Sequence, residues 1–300
     1  MILSVKDVVK RYGQHTAVNH VSFDVPEGCV FGLLGPNGAG KTSLLRMITT
    51  ITAPDEGSIW LEGERLHARS PEKMGYMPEE RGLYKKMQVG EHLIYLARLK
   101  GMSAMQARQA IDGWMQKFDI TAWWSKKIED LSKGMQQKVQ FIATVIHQPR
   151  LLILDEPFTG LDPINANLIK EEIEHLHQQG TSILFSTHRM EQVEEMCDHI
   201  VLINQGQNVL QGAVKDIKNA YKEHLYRVQT AAVVTDEALH HRFSVVQRLQ
   251  NTLTVRLAQG QSGNDLLRYL MEQGHEILHF EEILPTFNEI FIRRVQDSVA

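Results

Sequence analysis

Short apolar bursts set off by turn residues open the chain. Leu3–Lys6 and Val21–Val25 read as short strands around the turn Tyr12-Gly13-Gln14. Val30–Leu34 is a continuous apolar run, as in a buried strand. A glycine-rich loop follows, then an apolar helix from about Gly40. Residues Gln88–Phe118 repeat at the helical period with a break at Gly101, which predicts a helical insertion. After Leu131 the pattern runs helix, strand Leu151–Leu154, helix Pro163–Gln178, strand Thr181–Ser186, helix Glu191–Met196, strand Ile200–Ile203. Strands alternating with helices predict a mostly parallel α/β sheet. From about Tyr221 the pattern changes. Leu225–Val228, Phe243–Gln247, Thr252–Leu257 and Ile277–Phe280 read as strands, and Asn264–Glu272 and Pro285–Val295 as helices. The expected organisation is a large domain over 1–220 and a small α+β domain over 221–300, without internal repeats.

Composition narrows the picture. Hydrophobic residues make up 43% and charged residues 23%, values of a globular protein. A net charge of −4 gives no support to nucleic-acid binding by bulk electrostatics. The two cysteines, Cys29 and Cys197, exclude a disulfide framework, fit a reducing cytoplasm and read as packing residues. No stretch approaches the ~20 apolar residues of a membrane-crossing helix. Met1–Asp7 lacks the basic start and apolar core of a signal peptide. Any role at a membrane is therefore expected to go through a partner.

The first candidate chemistry is Gly35-Pro36-Asn37-Gly38-Ala39-Gly40-Lys41-Thr42, which fits G-x-x-x-x-G-K-[ST] between a predicted strand and a predicted helix. Glycines let backbone N–H groups converge on phosphate oxygens, and the following helix presents its positive end to the same anion. Lys41 is placed to reach the terminal phosphates, and the Thr42 hydroxyl to hold Mg²⁺. The second is Leu151-Leu152-Ile153-Leu154-Asp155-Glu156, an apolar strand with two carboxylates at its C-terminal end, where open parallel sheets bind ligands. Asp155 is expected to hold Mg²⁺, directly or through water, and Glu156 to polarise an attacking water as general base.

With these in place the chain resembles the ABC ATPase family, whose other motifs it carries in order. Leu131-Ser132-Lys133-Gly134-Met135-Gln136-Gln137-Lys138 resembles the signature motif LSGGQ, with Lys133 and Met135 as departures. Thr159-Gly160-Leu161-Asp162-Pro163 is similar to the D-loop, Ser186-Thr187-His188 to the switch-histidine loop, and Tyr12 to the aromatic residue that stacks on adenine. Alone, Tyr12 reads as a surface turn residue and His188 as a polar strand-end residue; the ordered set changes both readings. The resemblance covers about Met1–Ala220. It implies a P-loop ATPase with a mostly parallel sheet, an antiparallel β subdomain and a helical insertion. It implies ATP contacts from Tyr12, from Gly35 through Thr42 with Ser43, and from Ser132, Gly134 and Asp162, with His188 beside Glu156 in catalysis. In the family two such domains pair head to tail, and each ATP lies between one subunit's phosphate loop and the other's signature motif.

One departure concerns the metal. Where the family has glutamine, Gly75-Tyr76-Met77-Pro78-Glu79-Glu80-Arg81-Gly82-Leu83-Tyr84 places Glu79, a carboxylate able to ligate Mg²⁺ while adding negative charge near the γ-phosphate. The same string resembles the ATP-binding subunits of sodium- and drug-efflux exporters, as does the ending Leu284-Pro285-Thr286-Phe287-Asn288-Glu289-Ile290-Phe291. That subgroup carries a small C-terminal domain and works with a separate permease. The resemblance implies a permease groove between Tyr76 and Lys100, with Leu83, Tyr84 and Met87 as candidates. It also implies a homodimer or a heterodimer with a related subunit, held peripherally on the inner face of the cell membrane. The alternative is a soluble ABC ATPase acting on nucleic acid or ribosomes. The long coiled coils, zinc-binding cysteine sets and second ATPase domain of such proteins are not in this sequence.

Overall fold

The computed structural model describes residues 1–80, 82–235, 239 and 242–297, apart from the side chains of 295–297; Arg81 lies outside the described residues. The chain divides into two compact units, Met1–Ala213 and Val214–Ala300. In the first, a long hairpin of β1 (Leu3–Tyr12) and β2 (His15–Val25) replaces the two shorter strands expected. Register breaks along the pair, and left-handed backbone at Asp7 and His20, interrupt the regular alternation by which a strand is read in sequence. Next come β3 (Val30–Leu34), α1 (Lys41–Ile48), β4 (Glu56–Leu61), β5 (Glu64–Arg65) and β6 (Met74–Met77). The strands β4 to β6 are short and carry no clear sequence signal. The insertion forms α2 (Val89–Leu99) and α3 (Ala104–Lys117), broken at Gly101 as expected. Ser103 and Gln106 form a capping box that starts α3.

The second half of this unit alternates as predicted through α4 (Lys133–Val145), β7 (Leu151–Asp155), α5 (Pro163–Gln178), β8 (Ser182–Thr187), α6 (Met190–Met196) and β9 (His199–Asn204); β10 (Gln207–Ala213), not expected from sequence, pairs back antiparallel on β9. One sheet has the order β10-β9-β3-β8-β7-β6, parallel except for β10; the other is antiparallel, β2-β1-β4-β5. Every residue of β3, β7 and β8 is buried, which explains the apolar runs Val30–Leu34, Leu151–Leu154 and Ile183–Phe185 within them. The main core lies between the sheets around α1, joining Phe23, Phe31, Leu44 and Ile59. Cys29 and Cys197 are buried free thiols, raised to about 11 and pushed up further still, respectively, above all by burial.

The second unit begins with α7 (Val214–Ala220), ahead of the Ala220/Tyr221 boundary read from sequence. It continues with β11 (Leu225–Thr230), β12 (Ser244–Leu249), β13 (Thr252–Arg256), α8 (Gly263–Glu272), β14 (Ile277–Ile283) and α9 (Phe287–Asp297). The antiparallel order β12-β13-β11-β14 is that of a split βαβ arrangement. Its own core gathers Val228, Leu253, Val255, Leu266 and Leu270. Among the described residues no helix is long and apolar enough to cross a membrane.

Phe141 of α4 is fully buried and meets Trp114 and Phe118 of the insertion at ring-centroid distances of 6.1 and 5.9 Å. Phe141→Ala leaves a cavity there and is expected to cost about 3–5 kcal/mol. A urea titration followed by tryptophan fluorescence measures the loss.

Candidate functional site

The site begins where β3 leaves the middle of the parallel sheet. Gly35 has φ 150°, and a Cβ there would lie 2.1 Å from the Ile203 carbonyl oxygen. Gly40 has φ 107°, and its Cβ would lie 2.2 Å from the Ala17 carbonyl oxygen. Only glycine fits either place. The loop between them is tied back by the Gly206 N–H, which donates to the Ala39 carbonyl at 2.9 Å. No side chain caps α1 after Gly40, so its first N–H groups remain available to an anion. The cavity beside it, of about 290 Å³, is lined by Asn37–Ser43 together with Tyr12, His15, Ala17, Glu79, Asp155 and Glu156.

The parallel register sets Asp155 against Ser186, so consecutive residues leaving β7 meet consecutive residues of β8. The Ser186 hydroxyl donates to Asp155 at 2.8 Å, and the Thr187 hydroxyl to Glu156 at 3.2 Å. The other Glu156 oxygen accepts the His188 backbone N–H at 2.8 Å and lies 2.6 Å from His188 Nδ1. Glu156 sits at φ 51°, a left-handed backbone unusual for a non-glycine residue, held by these bonds. The helix α4 braces the rim: the Gln137 amide donates to the Pro157 carbonyl at 3.0 Å and the Gln140 amide to that of Pro78, next to Glu79, at 2.8 Å.

Burial lowers the Lys41 pKa, against the opposing charges of Glu156, Asp155 and Glu79. Its ammonium donates to the carbonyls of Gly35 and Pro36 at 2.7 and 3.2 Å. The donor set of Thr42, Asp155 and Glu79 is all oxygen, as a hard divalent cation requires. Among the described residues no three carboxylate, imidazole or thiolate side chains form a metal cage. A cation here would therefore share its coordination with the substrate, as Mg²⁺ commonly does.

The residues expected at the site separate into two groups. Tyr12, Glu79, Asp155, Glu156 and the loop from Asn37 to Ser43 line one cavity, and His188 joins it through Glu156. Gly35 and Pro36 do not line it and instead hold Lys41 through their carbonyls; Ser132, Gly134 and Asp162 do not line it either. Ser132 caps α4 by accepting the Met135 N–H at 3.3 Å, and Asp162 caps α5 by accepting the Asn165 N–H at 3.0 Å. Sequence reading missed His15 and Ala17, which reach the cavity through hairpin pairing, and the bracing amides of Gln137 and Gln140.

A phosphate loop on a central parallel strand, with paired carboxylates leaving a nearby strand, defines a P-loop nucleotide hydrolase. The chain matches the ABC transporter family over residues 18–159 and the DrrA1-3-like ATP-binding protein C-terminal domain over residues 212–295. It is 41% identical over 294 residues to the ABC transporter ATP-binding protein YhaQ of Bacillus subtilis strain 168, covering 98% of each chain. It is 36% identical over 214 residues to the Nod factor export ATP-binding protein I of Cupriavidus metallidurans, covering 70% of this chain and 71% of the relative. A solved ATP-binding subunit of an ABC transporter superposes with a TM-score of 0.69 at 31% identity, over 74% of this chain and 93% of the other. The chain belongs to the ABC transporter ATP-binding proteins, and ATP hydrolysis is its reaction.

Asp155 generates a pH prediction. Burial foremost, then the charges of Glu156 and Glu79, raise its pKa from 3.8 to about 6, against the Ser186 hydrogen bond and Lys41. The folded chain therefore holds this proton more tightly than the unfolded chain. That stabilisation is complete below 3.8 and is lost as pH rises through about 6. Asp155→Asn retains an acceptor for Ser186 without the buried charge. At pH 8, free of metal and nucleotide, it should exceed the parent in stability by about 2–3 kcal/mol, with the gap closing below about pH 4. Urea titrations at both pH values test this.

Proposed function

We propose that this chain is the ATP-driven subunit of an exporter whose permease is carried on a separate polypeptide, and that two ATPase subunits complete each other's sites. The observation that carries the pairing is the division of the motifs. Phosphate loop and carboxylates share a cavity, while Ser132 and Gly134 lie outside it at the start of α4. The uncapped start of one helix and the signature segment of a second subunit would grip the same triphosphate from opposite sides. Such a bridge stabilises only the closed pair, so ATP shifts the population to closure and hydrolysis reopens it. Export is supported by the naming of the Cupriavidus relative as a Nod factor export protein.

Within the site, Lys41 exchanges the Gly35 and Pro36 carbonyls for phosphate oxygens. Thr42, Asp155 and Glu79 would hold Mg²⁺, which when bound supplies Lewis acidity at those oxygens. Glu156 takes a proton from the water whose oxygen bonds the γ-phosphorus as the bond to the β–γ bridging oxygen breaks and ADP leaves, and His188 fixes the carboxylate's direction. Tyr12 stacks on the adenine. The permease docks in a separate groove of about 320 Å³ lined by Ile51, Leu83, Leu96 and Leu99, in which Ile51 and Leu99 are 59% and 60% exposed. Exposed apolar surface of this kind marks an interaction site. Tyr84 stands beside it, edge-on to His92 and Tyr95, while Met87 is half-buried and its backbone carbonyl accepts the Ile128 N–H. Gln140 lines the groove and bonds Pro78 next to Glu79, so groove and nucleotide cavity share one segment. The assembly sits on the inner face of the cell membrane through that permease.

Glu156→Gln keeps the hydrogen-bonding shape and removes the base. It should bind ATP, lose at least a hundredfold in turnover and accumulate as an ATP-bound dimer on size-exclusion chromatography. Near-parental hydrolysis would reject the assignment. Leu99→Glu puts a charge into the groove and should sharply reduce the membrane protein that co-purifies from solubilised membranes, with ATP binding by the same sample as the folding control. Undiminished co-purification would place the docking surface elsewhere.

A further inference from the structure

The base-stacking ring of Tyr12 has a support behind it. Tyr12 ends β1 at the hairpin tip, lines the nucleotide cavity and is 44% exposed. The Lys10 ammonium, which is not among the cavity's lining residues, stands over one face of the ring, 5.7 Å from the centroid. Lys10 is itself fixed. Two of its three protons go to the Ala53 carbonyl at 2.8 Å and the Asp55 carboxylate at 2.9 Å, and its side chain is only 14% exposed. The second Asp55 oxygen accepts the Arg11 backbone N–H at 2.6 Å, and the Asp55 N–H donates to the Val9 carbonyl at 2.9 Å. One carboxylate thus clamps both the end of β1 and the cation behind its last side chain.

We infer that Lys10, locked by Asp55, is a positioning residue for the nucleotide base: it holds the Tyr12 ring against the cavity and polarises the face on which the base stacks. The inference rests on the reading of Tyr12 as the stacking ring. Two physical effects support it. A cation over one face of an aromatic ring fixes the ring's orientation by attraction to its π electrons. A ring held before the ligand arrives spares the ligand the cost of ordering it. Lys10 does not line the nucleotide cavity, so it acts on the base through Tyr12 and makes no contact with the phosphates there.

The experiment compares two ligands on the full chain by isothermal titration calorimetry with Mg²⁺ present: ATP, which has a base, and inorganic tripolyphosphate, which has none. Lys10→Met should raise the ATP dissociation constant about two- to fivefold and leave that of tripolyphosphate unchanged, which also shows that the phosphate site is folded. Lys10→Arg retains the cation and should restore most of the ATP affinity. In a Tyr12→Ala background, Lys10→Met should have no further effect, because the residue acts through the ring. Equal weakening of both ligands, or no weakening of either, overturns the inference. If Tyr12→Ala leaves the ratio of the two affinities unchanged, the stacking reading itself fails. If Tyr12→Ala lowers that ratio while Lys10→Met does not, only the role of Lys10 is lost.

Discussion

Two carboxylates and one ammonium are buried together at the carboxyl end of a parallel sheet, and the arrangement of the first unit follows from the need to hold them there. A buried charge is tolerable only when it is paired or hydrogen-bonded on every side. Asp155 and Glu156 obtain their bonds from Ser186, Thr187 and His188 because β7 and β8 run parallel in register. Lys41 is brought into range because β3 lies beside β8 in the same sheet. Gly35 and Gly40 matter for the same reason: a side chain at either would push the loop off Ile203 or Ala17 and carry Lys41 with it.

Each of these charged groups is satisfied by neighbouring backbone and side-chain partners. The Lys41 ammonium rests on the loop's own carbonyls, and both Glu156 oxygens are occupied. In the proposed chemistry nucleotide would replace the Gly35 and Pro36 carbonyls on Lys41 with phosphate oxygens and leave the Glu156 bonds in place. Part of its binding energy goes into that exchange. The strained backbone of Glu156 belongs to the same design, since its φ of 51° persists only while its partners over-determine it.

The same economy explains the division of labour along the chain. The signature segment starts α4 with its own cap and has no triphosphate partner within the cavity that the chain encloses. The apolar groove beside α2 and α4 is likewise an exposed surface, with Ile51 and Leu99 open to solvent. Both features suit a component that completes itself against other polypeptides. The second unit has its own core and sheet, and its sequence carries no glycine-rich phosphate loop.

The sequence by itself determined the buried strands, the phosphate loop, the paired carboxylates and the alternation of β and α elements. Each depends on local residue type: unbroken apolar runs, glycines where no side chain fits, and acidic residues at a strand end. It determined the insertion as well, because the helical period survives on both sides of Gly101. Only the tertiary structure decided the rest. The hairpin β1–β2 extends past the expected strands because cross-strand pairing tolerates bulges that erase period-two alternation. His15 and Ala17 reach the cavity by pairing and loop packing, which leave no mark on neighbouring residues. The bracing by Gln137 and Gln140, the grip of Ser186 and Thr187 on the carboxylates, and the Lys10 clamp behind Tyr12 all join residues remote in sequence. Such contacts depend on strand order and helix docking, and those are set by burial summed over the whole unit, which no short segment encodes.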